Sequence, residues 1–326
     1  MFNKQKIFGM VLAFIATASW ASFYVVSRYV FGESAAEAES VDPVFATFLR
    51  VVMGAAFFCI MLLFTGKVKN SVSALKKNVW MFLFLGLVGI VGEGVLVFWS
   101  TKYTTAARSS LCANLSPVFT VVIAWMFAGE KMNRYKASGV LLGLGGIMLA
   151  ILGNGGKDIY MDASSIFGDL LALGSGVCWA AYTVGGLGVT KKYGSMVSTA
   201  LVIITGCIML YLLILFTGRE MHWDMSMKMW LAYAYLGIFA NGISYLCWYT
   251  ALKYLKAGEV GAFGYVSVIL TVIFSCIFLQ EQIGIQFVIA FACVMSGVYL
   301  MMEKKNKKIK EPQQEICPEV MDSQGA

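Results

Sequence analysis

The sequence predicts an all-α integral membrane protein of ten transmembrane helices, arranged as two inverted five-helix repeats with both termini in the cytoplasm. Composition, charge distribution and an internal repeat predict it. Of 326 residues, 59% are hydrophobic and 13% charged, and the mean hydropathy is +0.76. A soluble domain carries about 25% charged residues. Too few polar side chains remain to cover a soluble fold of this size, which excludes a soluble enzyme, a disordered scaffold and a nucleic-acid binder. The partner such a surface requires is a lipid bilayer. The apolar runs are continuous rather than alternating, so helices are expected and a lipid-facing β-barrel is not.

Ten apolar segments follow one another at approximately 6–31, 43–64, 79–102, 105–128, 134–152, 165–187, 195–217, 229–252, 258–280 and 284–302. The first has a basic start, Lys4 and Lys6, and an Ala16-Thr17-Ala18 that mimics a signal cleavage site. Its run of about 25 residues exceeds a signal-peptide core, and it is read as a permanent span. The connections set the orientation. With the N-terminus inside, 18 of the 25 Lys and Arg fall on inner segments: Lys4 and Lys6, the 67–77 connection, Lys131 to Lys136, Lys191 and Lys192, Lys253 and Lys256, and Lys304 to Lys310. Five fall outside (Lys102, Arg108, Lys157, Arg219 and Lys228), while Arg28 and Arg50 lie within segments. The first outer loop is acidic, with Glu33, Glu37, Glu39 and Asp42. This bias puts both ends inside and requires an even number of crossings. The polar tail 303–326 reads as a disordered basic cytoplasmic end.

The chain repeats itself. Ile7-Phe8-Gly9 with Trp20-Ala21 recurs as Ile166-Phe167-Gly168 with Trp179-Ala180, at an offset of 159. Lys102-Tyr103 and Glu130 recur as Lys253-Tyr254 and Glu281, at an offset of 151. At that offset Ala107, Ser110 and Ala113 match Gly258, Gly261 and Gly264, and Gly86 and Gly89 match Gly237 and Ala240. The halves are 1–152 and 153–302, each with five segments. An odd number inverts the second copy in the membrane, an arrangement typical of secondary transporters, whose site lies near the midplane between the halves. Small residues at these positions, and Gly139, Gly143, Gly145 and Gly146 in the fifth segment, read as close helix packing.

At this point the sequence resembles the drug/metabolite transporter superfamily, EamA type. The resemblance covers roughly 7–302. It is carried by the Trp in the first segment of each half, by the block Trp99 to Glu130 with Leu115-Ser116-Pro117, and by Gly129-Glu130-Lys131 after the fourth segment. The second-half counterpart, Tyr249 to Glu281, ends in Gln280-Glu281-Gln282 and lacks the proline. The resemblance implies ten helices in two inverted repeats, and a central cavity bounded by segments 1, 3, 4, 6, 8 and 9. It also implies peripheral roles for segments 5 and 10, and transport of small organic metabolites, often export.

A charge at the bilayer centre costs about 2.5–3.5 kcal/mol on insertion scales and needs a partner or water. Glu93 is the one acidic side chain deep in a segment, about 13 Å from the outer end of the third at 1.5 Å per residue. Arg50 lies about 10–13 Å into the second. Equal depth allows an Arg50–Glu93 pair, read either as a structural lock or as a substrate anchor and proton-coupled gate. Asn114 sits at comparable depth, three residues before Pro117, which removes a backbone hydrogen bond and frees carbonyls to face substrate, water or a packing kink. Aromatic and polar residues share helical faces: Trp20, Tyr24 and Ser27; Ser175, Trp179 and Tyr182; Asn241, Tyr245 and Trp248; Gly261 and Tyr265. Trp80 and Trp99 fit an interfacial belt. Trp20 and Trp179 lie mid-segment at repeat-related positions and read as a cavity wall. The candidate substrate-binding set is Trp20, Tyr24, Arg50, Glu93, Asn114, Trp179, Tyr182, Asn241, Tyr245 and Tyr265.

Arg28 and Arg108 are expected to snorkel to headgroups, or to attract an anionic substrate. Asp169 and Glu259 are expected to be solvated. Glu130 and Glu281 are expected to cap a helix or pair within a loop. Seven of eight cysteines lie inside apolar runs, no Cys-x-x-Cys occurs, and the single histidine is His222. Disulfides, a zinc or haem site, a catalytic constellation and any cofactor are therefore not expected. The leading functional expectation is an ATP-independent exporter of amino acids or related metabolites, working by alternating access in the cell inner membrane. Efflux of small amphiphilic or cationic drugs is the alternative within transport; a channel or membrane-embedded structural protein is the alternative outside it. Substrate identity, coupling ion and oligomeric state are not encoded in any of these features.

Overall fold

The computed structural model describes residues 4–31, 41–127, 132–152, 163–251, 254 and 257–302. Among them there is no strand. The helices are α1 (Lys4–Phe31), α2 (Pro43–Phe64), α3 (Val68–Lys77), α4 (Val79–Tyr103), α5 (Ala106–Phe127), α6 (Arg134–Leu152), α7 (Ala163–Tyr193), α8 (Ser195–Thr217), α9 (227–251), α10 (Ala257–Phe278) and α11 (Ile285–Met302). Among the described residues, six helices are long and apolar enough to cross a membrane: α1, α2, α4, α5, α7 and α8. Shorter apolar stretches lie at Val266–Phe278 in α10 and Ile285–Gly297 in α11. The chain is an all-α membrane protein.

Local chemistry starts and stops these helices. Asp42 accepts from the backbone N–H of Val44 at 2.8 Å and Phe45 at 3.3 Å, with Pro43 at the first helical position, so α2 begins with its orphan donors satisfied. Thr105 opens α5 by accepting from Arg108 N–H, and Ser226 opens α9 by accepting from Met229 N–H. Gly218 ends α8 in the left-handed conformation, φ 61°, which a side chain resists.

Two helices expected to be regular are not. Both α4 and α9 pass through a π-helical turn, Leu87–Gly92 and Leu236–Ile243. These stretches overlap at the offset of 151 that relates the halves. At each a neighbouring helix comes close. A Cβ built on Gly237 would lie 2.6 Å from the Arg50 carbonyl oxygen of α2, and one on Gly206 of α8 would lie 2.4 Å from Ile90 Cβ. Reciprocally, Gly54 of α2 faces Asn241, and Gly86 of α4 faces Thr205 of α8. Gly86 and Gly237 are 151 residues apart and Gly54 and Gly206 are 152 apart, so a similar crossing occurs twice. The glycines let the backbones approach.

α5 is also interrupted. Ala106–Ala113 ends at Asn114, and Ser116–Phe127 resumes with Pro117 at its start. Here the expected effect of Pro117 is present as a break between two helical pieces. The α6–α11 pair packs at one edge through glycines: a Cβ on Gly297 would lie 2.6 Å from Gly139 O, and one on Gly146 would lie 2.9 Å from Ala290 O. Gly145 has nothing within 4 Å. One buried cluster is built mostly from α1, α2, α4, α8 and α9, with Ala106 of α5 and Val189 of α7, and a second mostly from α5, α6, α10 and α11, with Ala172 of α7.

Candidate functional site

A cavity of about 430 Å³ lies among α1, α2, α4, α5, α7, α9 and α10. Six of these helices are those implied for the cavity by the family resemblance; α2 adds Arg50. Of the ten predicted residues, Trp20, Tyr24, Arg50, Glu93, Asn114, Trp179, Asn241 and Tyr245 line it.

Charge sits at one end of the cavity. Arg50 is 6% exposed, and its Nη2 lies 4.0 Å from Glu93 Oε2. The pair expected from matched depth therefore forms, at a separation beyond hydrogen-bond length. The guanidinium also sits 4.7 Å from the ring centre of Phe23 and 5.6 Å from that of Phe98, both able to stabilise a cation in a dry site. Gly94 makes room for it, since a Cβ there would lie 2.9 Å from Arg50 Nη2. Two donors in the lining residues remain unused: Arg50 Nε and Asn241 Nδ2 have no hydrogen-bond partner. Asn241 belongs to the π turn of α9 and rests on Gly54, one helical turn along α2 from Arg50.

An aromatic wall continues from there. Trp20 packs against Trp179, Tyr245 and Trp248 with ring centres 6.3, 5.7 and 4.9 Å apart. Its indole N–H donates to Ala240 O at 3.2 Å, which ties α1 to the π turn of α9. Ser22 of α1 and Tyr235 of α9 share a hydrogen bond of 2.7 Å beside it. On α5, Asn114 Nδ2 donates to Ser110 O at 2.8 Å, while the buried Ser110 hydroxyl reaches Thr271 of α10 at 3.3 Å. Asn114 and Pro117 thus face the cavity, and Ser110 is used for helix pairing.

Tyr182 is not among the described lining residues. Tyr182 packs its ring on Gly89, where an added Cβ would lie 2.7 Å from the ring, and against Trp179, 5.5 Å between ring centres. The side chain of Tyr265 lies outside the described residues, as do the side chain of Glu259 and residues Glu130 and 303–326. Phe23, Thr120, Thr183 and Ser267 also line the cavity and were not singled out from sequence. Helical spacing carried two of them: Thr120 is three residues beyond Pro117, and Thr183 is four beyond Trp179.

Beyond the Arg50–Glu93 end, the bundle is closed by polar contacts. Arg108 Nε donates to both Asp169 oxygens, at 3.1 and 3.3 Å, Arg108 Nη2 also bonds Asp169, and Thr104 Oγ1 donates to Asp169 at 2.8 Å. Asp169 is fully buried and Arg108 is 5% exposed. Their expected solvation and snorkelling are corrected: Gly168 lets α7 press against the α4–α5 turn, which encloses the carboxylate and draws the arginine inward. Arg28 likewise donates to the Thr101 and Lys102 carbonyls. Glu281, between α10 and α11, accepts from Ala106 N at 2.7 Å and Ala107 N at 3.2 Å, the helix-capping role expected of it, here on the start of α5. Arg219 pairs with Asp42 at the same end.

At the opposite end a second cavity, about 500 Å³, is lined by Lys67, Asn70, Ser73, Lys192, Tyr193 and Tyr245 among others. Tyr245 is common to both linings.

The model of the EamA-like transporter family matches residues 7–152 and again 166–303. The uncharacterized transporter YyaM of Bacillus subtilis (strain 168) is 28% identical over 265 residues, covering 79% of this chain and 86% of its own length. An uncharacterized transporter of Archaeoglobus fulgidus is 30% identical over 229 residues, covering 70% and 78%. The WAT1-related protein At4g08290 of Arabidopsis thaliana is 26% identical over 276 residues, covering 76% and 71%. One crystal structure aligns with a TM-score of 0.61 at 22% identity, over 90% of this chain and 95% of that one, which supports the fold alone.

Proposed function

The chain belongs to the EamA-like transporter family, and from that premise we propose that it is a secondary transporter exporting a small organic metabolite, of the amino-acid type, by alternating access. In this reading α1, α2 and α4 to α11 make ten crossings, 1–152 and 153–302 are inverted repeats, and both termini are cytoplasmic. The bilayer is that of the cell inner membrane.

The observation that carries the proposal is the composition of the cavity: a buried cation, an acid and an aromatic wall, contributed by helices of both halves. The candidate contacts are Trp20, Tyr24, Arg50, Glu93, Asn114, Trp179, Asn241 and Tyr245, with Tyr182 behind Trp179 and Tyr265 on α10. The Arg108–Asp169 end is the external one in this orientation, so the cavity is shut outside and a cytosolic solute loads it. Counterflow in proteoliposomes tests the reading. Saturable exchange of a labelled amino acid from a mixed panel, without large ion currents, is the expected result. Large ion currents without saturable exchange would make the protein a channel.

Efflux of cationic drugs draws support from the same Trp wall and Glu93. It is disfavoured by Arg50, which faces the same space and repels a cation. Counterflow of a lipophilic cation in place of amino acids would reverse that preference.

A further inference from the structure

We infer that α3 is a lipid-binding helix: it lies on the inner leaflet, with Val68 and Val72 at the acyl boundary and Lys69 and Lys76 on anionic headgroups. The inference rests on the proposed orientation for the choice of leaflet only. Placement comes first. Thr65, Gly66 and Lys67 separate α3 from α2, and Asn78 alone separates it from α4. Both neighbours are long and apolar enough to span a membrane. Gly66, at φ 65°, makes the turn out of α2. Tethers this short hold a helix of about 15 Å at the membrane surface.

The faces of the helix come second. Lys67, Asn70 and Ser73, three residues apart, line the cavity of about 500 Å³. Ser71 and Ala74 are buried against the bundle. At 3.6 residues per turn, Val68 and Val72 project from the side opposite the cavity. They are 39% and 48% exposed. Phe64 and Trp80, in the flanking helices, are strongly exposed as well, and a Trp suits headgroup depth. A short helix with an uncovered apolar side and basic flanks lies in a bilayer interface.

Charge then selects the lipid. Lys69 and Lys76, seven residues apart, share the flank next to Val72 and away from Ser71 and Ala74. Neither they nor Lys77 makes an ion pair among the described residues, and the chain has no acidic residue between Asp42 and Glu93. Anionic phospholipids supply the missing counter-charge. The repeat provides a control. At the offset of 151 the counterpart, 219–228, is non-helical as far as Ser226 and sets Arg219 and Lys228 against Glu220 and Asp224. The same place in the other half needs neither a helix nor a net charge. Lysines that only set orientation need no apolar side beside them.

The test measures lipid binding separately from transport. The purified full-length chain is melted in nanodiscs of phosphatidylcholine alone and with about 30% phosphatidylglycerol, which is anionic. We expect the anionic lipid to raise the midpoint by about 2 °C or more. That rise should fall by about half or more in 0.5 M salt. Lys69→Gln with Lys76→Gln should lose most of it. Depth is read from a fluorophore on Val72→Cys or Asn70→Cys, each in a chain with the native cysteines replaced. Brominated acyl chains should quench position 72 at least about twofold more than position 70. If the double variant does not insert, the salt titration of the unaltered chain decides. Equal melting in both lipids, a rise indifferent to salt, a double variant that keeps the whole rise, or equal quenching at the two positions each overturns the proposal. So does an equal rise when inorganic phosphate is added to the phosphatidylcholine nanodiscs, which would make the ligand a free anion. A lipid response without counterflow would sink the transport reading and keep this surface; counterflow without a lipid response would do the reverse.

Discussion

Arg50 is held by what surrounds it rather than by a tight ion pair. Phe23 and Phe98 flank its guanidinium, Glu93 stands at 4.0 Å, and Gly94 supplies the space. This makes Gly94 a sharper probe of the site than the charges themselves. In Gly94→Ala the new Cβ would lie 2.9 Å from Arg50 Nη2 and 3.0 Å from Thr47 Cγ2. The guanidinium has to move, because the facing backbone is fixed by the α2–α9 crossing. We expect Gly94→Ala to insert and fold and to lose about tenfold in counterflow rate, roughly 1.4 kcal/mol. Gly145→Ala, with nothing within 4 Å, serves as the comparison and should leave counterflow unchanged. Equal activity of the two variants would show that Arg50 needs no fixed position. Arg50 and Glu93 themselves were legible in sequence, since charges deep in apolar runs are few and their depths could be counted. Phe23, which supports Arg50, was not: a phenylalanine in a membrane helix carries no signal of its own.

Among the elements, the ten apolar segments correspond to α1, α2 and α4 to α11. Hydropathy did not reveal α3, whose apolar residues are diluted by four lysines in the 67–77 connection. Nor did it reveal the π turns, because six to eight apolar residues give the same pattern at either helical period. The paired glycines around them, Gly86 and Gly92 with Gly237 and Gly242, were the available clue. The Arg108–Asp169 bond was hidden for another reason. Both residues fall near segment ends, where solvation is the ordinary expectation, and their contact depends on how closely α7 meets the α4–α5 turn. This bond yields a stability prediction. Removing one charge of a buried pair strands the other, at a cost of about 3–5 kcal/mol. Asp169→Asn should therefore lower the melting temperature of the purified protein strongly. Replacing both partners with apolar residues, Arg108→Met with Asp169→Leu, should restore much of it. A double variant less stable than Asp169→Asn would mean that the two charges contribute independently, through Thr104 and other neighbours.

At the scale of the whole molecule, packing and charge bear on how the chain sits in the membrane. The doubled glycine crossing, α2 on α9 and α8 on α4, relates elements one repeat apart, and the family match falls on 7–152 and 166–303. In the proposed arrangement two copies of a five-helix unit enter the bilayer in opposite senses, which would bring both chain ends to the same side. The basic residues support the cytoplasm as that side in the same proposal: 18 of 25 fall on one set of connecting and terminal segments, and such residues favour the cytoplasm. The acidic Asp42 meets Arg219 at the opposite end, together with Arg108, Asp169 and Glu281. Cys317, in the C-terminal tail, offers a direct measurement. With the other seven cysteines replaced by serine or alanine, a membrane-impermeant maleimide should label Cys317 in inside-out vesicles and spare it in right-side-out cells. A cysteine introduced at Glu220, beside Arg219, should show the reverse. If both positions label from the same side, the count of crossings between them is even and the inverted arrangement of the second half fails. If they label from opposite sides but exchanged, the repeat survives and the cavity, closed at its Arg108–Asp169 end, faces the exterior instead of the cytosol. The same carrier would then be loaded from outside, and import would replace export.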